Sequence, residues 1–189
     1  MNSSARRRLH IIVAFAGLLL APTAYTLDAF LQVPGIDGDS LDATHRTWID
    51  VQSFGFNATA RVCKGLSVVK RLDSASPLLS AAVVNGDVFP QMLLELRKAG
   101  GNGGPLPFWT LTLKDVSILS ITQNVDGALN TLTEQLQLKP LTIEMTFRPL
   151  NPKGTFDTPI ASTLDCKSAA APMPEDTRKD DQKKSDDKK

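Results

Sequence analysis

Hydrophobic and polar positions alternate with a period of two along much of this chain, the pattern of strands that bury one face. Over residues 27–33, Ala29, Leu31 and Val33 share one side, while Asp28, Phe30 and Gln32 share the other. Pro34-Gly35 and Asp37-Gly38 end that strand. Extended structure resumes at Trp48 and runs to Phe54 through β-branched and aromatic residues. Gly55 to Thr59 reads as a short turn, and residues 62–72 as a strand with Leu66, Val68 and Lys70 on one face.

A helix over about 77–85 interrupts the strands. Ser76 is placed as its N-cap, Pro77 in its first turn and Gly86 at the left-handed position that ends it. Leu78, Ala81 and Ala82 fall together at helical spacing and predict its packing face. A strand over 92–97 then leads into the glycine-rich connection 99–105 of a hairpin. Residues 106–122 form a long strand whose alternation fails near Lys114-Asp115, predicting a bulge or bend there. The next strand covers 132–147, with Leu141, Ile143, Met145 and Phe147 on one face and Pro140 marking an edge or a break. A turn at 151–154 and a closing strand over 155–166 complete the pattern. Many short strands separated by turn signals predict an all-β barrel or sandwich with one short α-helix.

The ends of the chain differ from this body. Arg6, Arg7 and Arg8 precede an unbroken apolar run over 11–21, too short to span a bilayer as a helix. Residues 1–26 are therefore read as a secretory signal peptide, cleaved after Ala24 or Thr26. An uncleaved anchor and a misassigned start are the other readings. Residues 168–189 mix Lys and Asp with no large apolar side chain except Met173, so they are read as a disordered, solvated tail. That leaves 27–167 as one domain, large enough to bury roughly two-thirds of its surface. The chain has a net charge of +1, but the body from 27 to 166 is mildly acidic. A mildly acidic body argues against nucleic acid, which requires a basic face. With the signal removed, no segment predicts stable membrane insertion.

Catalytic constellations are sparse. Beyond the signal, His45 is the sole histidine, and it sits in a polar loop where a hydrogen bond to that loop is the expected role. Asp37, Asp39 and Asp42 resemble the start of a calcium loop, but Leu41 and Trp48 occupy positions where oxygen ligands are needed. Gly100 to Gly104 lacks the Gly-Lys-Ser/Thr of a phosphate cradle. No catalytic residue, cofactor or metal ligand is assigned, and no enzyme activity is expected. Asn57-Ala58-Thr59 is a formal glycosylation sequon. Cys63 and Cys166 are the only cysteines. An exported chain meets an oxidising compartment, which favours a disulfide between them; two buried free thiols are the alternative.

Several phrases occur in an order that resembles the Hcp family, the ring-forming tube proteins of type VI secretion. They begin with residues 27–56 and continue with Lys70-Arg71-Leu72-Asp73-Ser74-Ala75-Ser76-Pro77-Leu78-Leu79. Leu93 to Gly101, Leu113 to Ile118, Ile143 to Met145, Asn151 to Gly154 and Leu164 to Lys167 follow in the family's order. The resemblance implies a β-barrel of two packed antiparallel sheets with a flanking helix. It also implies homo-hexameric rings, stacking of those rings, and spike, sheath or effector proteins of the secretion machine as partners. Two features depart from the family. Tube proteins load from the cytoplasm and need no cleaved signal. The family also has a long loop after its second strand, where this chain is read as a tight connection over 55–61. Two functions follow: an exported, ring-forming structural protein, or an orphan Hcp-like binding module in the periplasm or at the cell surface that builds no tube.

Overall fold

The computed structural model describes residues 27–60, 62–98, 106–127, 131–151 and 155–166. The expected signal peptide, the 168–189 tail, the 99–105 connection and the centre of the 151–154 turn lie outside the described residues. Eight strands and one helix follow in order: β1 Leu27–Gln32, β2 Ile49–Thr59, β3 Val62–Arg71, α1 Ser76–Asn85, β4 Val88–Lys98, β5 Leu106–Asp126, β6 Thr131–Lys139, β7 Thr142–Phe147 and β8 Ile160–Asp165. All strand pairings are antiparallel, in the order β4-β1-β2-β3-β6-β5-β7-β8. An additional β4–β5 pairing closes the sheet on itself, so the expected all-β barrel with one short helix is what the chain forms. Hydrogen bonding runs without interruption from one layer to the other.

The bend expected at Lys114-Asp115 is the hinge of that closure. Asp115 has φ 51°, outside the extended region. Up to Lys114, strand β5 pairs with β7; from Ser117 onward it pairs with β6. Pro140 separates β6 from β7, and Leu141 N–H donates to the Lys114 carbonyl at 3.0 Å. The stretch 132–147 is therefore two strands, broken at the residue that lacks an N–H.

Inward-facing aliphatic side chains fill the barrel. Leu31, Ile49, Val68, Leu94, Leu113 and Ile143 are all fully buried. The predicted face of β3 is the buried one: Leu66, Val68 and Lys70 are all inside. Phe30 is buried too, on the opposite side of β1 from Leu31, because a loop covers that face.

Three local expectations need correction. Residues 55–59 are not a turn: they continue β2, in register with β3 as far as Thr59 opposite Val62. Strand propensity of Phe54 and Phe56 and cross-strand pairing outweigh the single Gly55. In α1 the cap is Ala75, with no side-chain capping bond, because the Ser76 hydroxyl is engaged elsewhere. Of the expected packing face Ala82 is buried, but Leu79 takes the inward place expected of Leu78 and Ala81, and Leu78 is about half exposed. Gly86 does end it, at φ 71° with its N–H donating to the Val83 carbonyl.

Gly65 holds a tighter constraint. Its φ is 99°, and a Cβ there would press on the Leu138 carbonyl of β6. Gly65→Ala should therefore destabilise the protein by about 1–3 kcal/mol, read from urea unfolding, through backbone strain and separation of β3 from β6. An unchanged midpoint would contradict that close approach.

Candidate functional site

The residues singled out for chemistry fall in two polar clusters and one projecting arm. In the first cluster, the loop after β1 folds across β1 and β4. His45, 5% exposed, lies with its Nδ1 3.0 Å from Asp42 Oδ1 and its Nε2 2.8 Å from Glu95 Oε2. The bond to Asp42 lies within its own loop, and the bond to Glu95 ties that loop to β4. Its ring stacks on Phe30 at 4.4 Å and meets Trp48 edge-on. Arg97 donates to Asp42 Oδ2 at 2.6 Å and to Thr44 Oγ1 at 2.9 Å, and lies over the Phe30 ring. The Arg97 guanidinium is the main influence that holds the Asp42 carboxyl well below the usual range. Partial burial opposes it, and His45 and Thr44 reinforce it. Asp39 accepts from Ser74 N–H and Oγ. Each of these carboxylates serves the loop, and among the described residues no group of three His, Cys, Asp or Glu side chains is arranged to hold a metal.

The second cluster lies inside the barrel. Lys70 on β3 and Glu134 on β6 are both fully buried and 2.9 Å apart. The Lys70 ammonium also donates to Ser76 Oγ at 3.1 Å and pairs with Asp73 at 2.7 Å, so its three protons each have an acceptor. Glu134 accepts from Ser76 Oγ at 2.7 Å and from Gln123 Nε2 at 2.7 Å. Burial pushes the Glu134 carboxyl upward, but the bonds from Ser76, Lys70 and Gln123 outweigh it and lower the carboxyl overall. The cluster fastens the start of α1 to the wall formed by β3, β6 and β5. Sequence placed Lys70 on the buried face but offered no sign of its partner 64 positions away.

The third feature is an arm. β1 pairs with β2 only as far as Val51, so the outer edge of β2 from Gln52 to Thr59 carries no strand partner among the described residues. On the other side, β3 begins its ladder with β6 only at Leu66. The end of β2 over 57–59 and the start of β3 over 62–65 thus project past the barrel as an arm, and the open edge of β2 runs onto it from the barrel wall. Cys63, near its tip, is bonded to Cys166, which follows β8. The separation of 103 residues makes this a long-range staple, worth about 4.7 kcal/mol by constraint of the unfolded chain. The outer edge of β8 from Ile160 to Leu164 is likewise without a strand partner among the described residues. Such edges offer unpaired donors and acceptors to another chain. Asn57 of the sequon sits exposed on the arm.

A family model described as "Type VI secretion system effector, Hcp" matches residues 30–147. Protein hcp1 of Pseudomonas aeruginosa is 29% identical over 145 residues, covering 69% of this chain and 89% of that protein. The crystal structure of Hcp1 from Salmonella typhimurium superposes with a TM-score of 0.66 at 29% identity, covering 75% of this chain and 95% of that one. Hcp2 from Salmonella typhimurium gives a TM-score of 0.63 at 27% identity, covering 75% of this chain and 97% of that one.

Two measurements test the polar clusters. Lys70→Ala leaves Glu134 buried without its cation and should cost about 3–5 kcal/mol in urea unfolding. The paired change Lys70→Met with Glu134→Leu should cost less than Lys70→Ala, since no buried Glu134 charge is then stranded and only Asp73, Ser76 and Gln123 lose a partner. Acid should weaken the fold through Asp42 and Glu134. Both carboxyls are lower in the folded than in the unfolded state, so their contribution is complete above about pH 5 and drains away as the pH falls below it. Asp42→Asn should flatten the loss of stability between neutral pH and about pH 3, and an unaltered slope would remove Asp42 from that role.

Proposed function

This protein belongs to the Hcp family of the type VI secretion system, whose model matches more than half of the chain, and on that premise we propose that its work is architectural. Copies join side by side into a closed hexameric ring, and the protein is exported. The arm carries this reading. With the barrel wall it continues, it presents an unpaired strand edge over 52–59 on a sheet that closes on itself through the β4–β5 pairing. A head-to-tail contact repeated around an axis satisfies such edges when the ring closes. The arm also supplies the extension after the second strand that a tight connection over 55–61 would have lacked, which favours contacts between stacked rings. Spike, sheath and effector proteins of the secretion machine are the proposed partners.

A second reading is favoured by the disulfide. A structural bond between Cys63 and Cys166 suits an oxidising compartment, as does the arginine-led apolar segment at the start of the chain. An exported Hcp-like module, binding an envelope partner and building no tube, meets both observations.

Native mass spectrometry of the purified chain separates the two. A sixfold mass supports the ring; a monomer at high concentration supports the lone module and overturns the ring. Comparing export in cells with and without a type VI machine then identifies the route, with machine-independent release expected if the N-terminal segment directs it.

A further inference from the structure

We propose that the Cys63–Cys166 bond is a redox latch that holds the arm in its assembly-competent pose, a reading that rests on the ring function above. The bond sits outside the barrel's own ladder. Cys63 lies three residues before Leu66, where pairing of β3 with β6 begins, and Cys166 follows β8, the last strand of the sheet. Between Cys63 and the barrel lies a joint. Asn57 pairs with Gly65 and Ala58 pairs with Cys63, so Lys64 is an extra residue in β3, a bulge beside the left-handed backbone of Gly65. Bulges bend a strand and interrupt its ladder, so Ala58 and Thr59 of β2 and Val62 and Cys63 of β3 form a tip that lies beyond a joint.

What fixes the tip to the rest of the molecule lies on one side of this joint. Lys139 Nζ donates to the Cys63 carbonyl at 2.8 Å, and the disulfide joins Cys63 to Cys166. Cys166 N–H in turn donates to the Leu141 carbonyl at 2.9 Å, which anchors that end of the bond beside the β6–β7 break. The arm and β8 face each other across a cleft lined by Phe56, Ala58, Thr59, Val62, Thr163 and Leu164. Cys63 is half-buried at this cleft, whereas Cys166 is buried, so an attacking thiolate reaches the Cys63 sulfur first. Cys166 belongs to the hydrophobic core and Cys63 packs against it, but most of that core, Leu31, Val68, Leu94 and Leu113 among it, lies within the closed sheet and gives the barrel its own cohesion.

The step balances with a small dithiol as reductant. One of its thiolates attacks Cys63 Sγ, the Sγ–Sγ bond breaks, and Cys166 leaves as a thiolate that takes up a proton. The reductant's second thiolate then displaces Cys63, which also becomes a thiol, and the dithiol departs as a cyclic disulfide. Two electrons and two protons pass to the protein. With the latch open, the tip pivots on the Lys64–Gly65 bulge, and the part of the edge beyond it, Ala58 and Thr59, loses its fixed direction.

Hydrogen exchange and native mass spectrometry on the purified full chain, before and after a small dithiol, test this. Amides of Ala58, Thr59, Val62 and Cys63 and of residues 161–164 should lose protection at least tenfold on reduction, while Val68 in β3 and Leu111 to Leu113 in β5 stay protected. The sixfold mass should fall to smaller species and return on reoxidation. The Cys63→Ser/Cys166→Ser variant should match the reduced protein. Unchanged protection in both segments would overturn the latch, and so would loss of protection throughout the barrel, which would make the bond a global staple. If the oxidised chain is monomeric, the ring reading fails, and the exchange pattern still decides whether the arm is latched.

Discussion

Strand β5 is the constraint on which the rest of the molecule depends, because three other strands take their hydrogen bonds from it. Along its first half it pairs with β4 on one edge and β7 on the other; along its second half it pairs with β6. The exchange of partners happens where Asp115 leaves the extended region and where Pro140, unable to donate, ends β6. Buried backbone groups need partners, so a strand that must turn a corner in a closed sheet has to surrender one neighbour as it accepts another. Closing the sheet in this way removes most of its edges. Among the edges left over are those of the arm and of β8, and those are the surfaces the assembly reading uses.

Charge is buried in the interior only where it is fully matched. Lys70 has three acceptors for three protons, and Glu134 accepts from a cation, a hydroxyl and an amide. Low polarity inside the barrel makes each of these bonds strong and any orphan costly. Such a cluster adds little net stability over apolar packing, but it admits one placement of α1 against the wall. Outside, His45 does the same for the loop after β1. Its imidazole, held between Asp42 and Glu95 and stacked on Phe30, secures a polar segment over the outer face of the sheet. Both clusters serve placement, which is what the architectural reading requires of them.

The arm connects fold to function. It is an extension of two strands and not a disordered insert, so its edge projects with a direction set by the β2–β3 ladder. The long-range bond at Cys63 and the bulge beside it give that direction a fixed end and a joint. Architectural proteins need surfaces that are precise without being rigidly part of the core, and a hairpin stapled at its tip meets both demands.

Much of this was legible in the chain itself. Period-two alternation marks most of the strands, Gly86 marks the end of α1, and the lost alternation near Lys114 and the ring of Pro140 mark the corner, because each depends on local backbone preferences. Ordered phrases carry the family resemblance for the same reason: they are the residues those local geometries require. Other features were decided only in three dimensions. The 55–59 segment looks like a turn in isolation and becomes strand because β3 lies beside it. Leu79 replaces Leu78 in the helix's buried face because contact with β5, and not spacing alone, selects which residues face inward. His45 finds the expected partner within its own loop in Asp42, but Glu95 for His45 and Glu134 for Lys70 come from far along the chain, and no local signal encodes either meeting. Sequence determined the elements and their breaks, since those follow from dihedral preference and solvent affinity residue by residue. Tertiary structure decided the pairings, since bringing distant groups together depends on closure of the whole sheet.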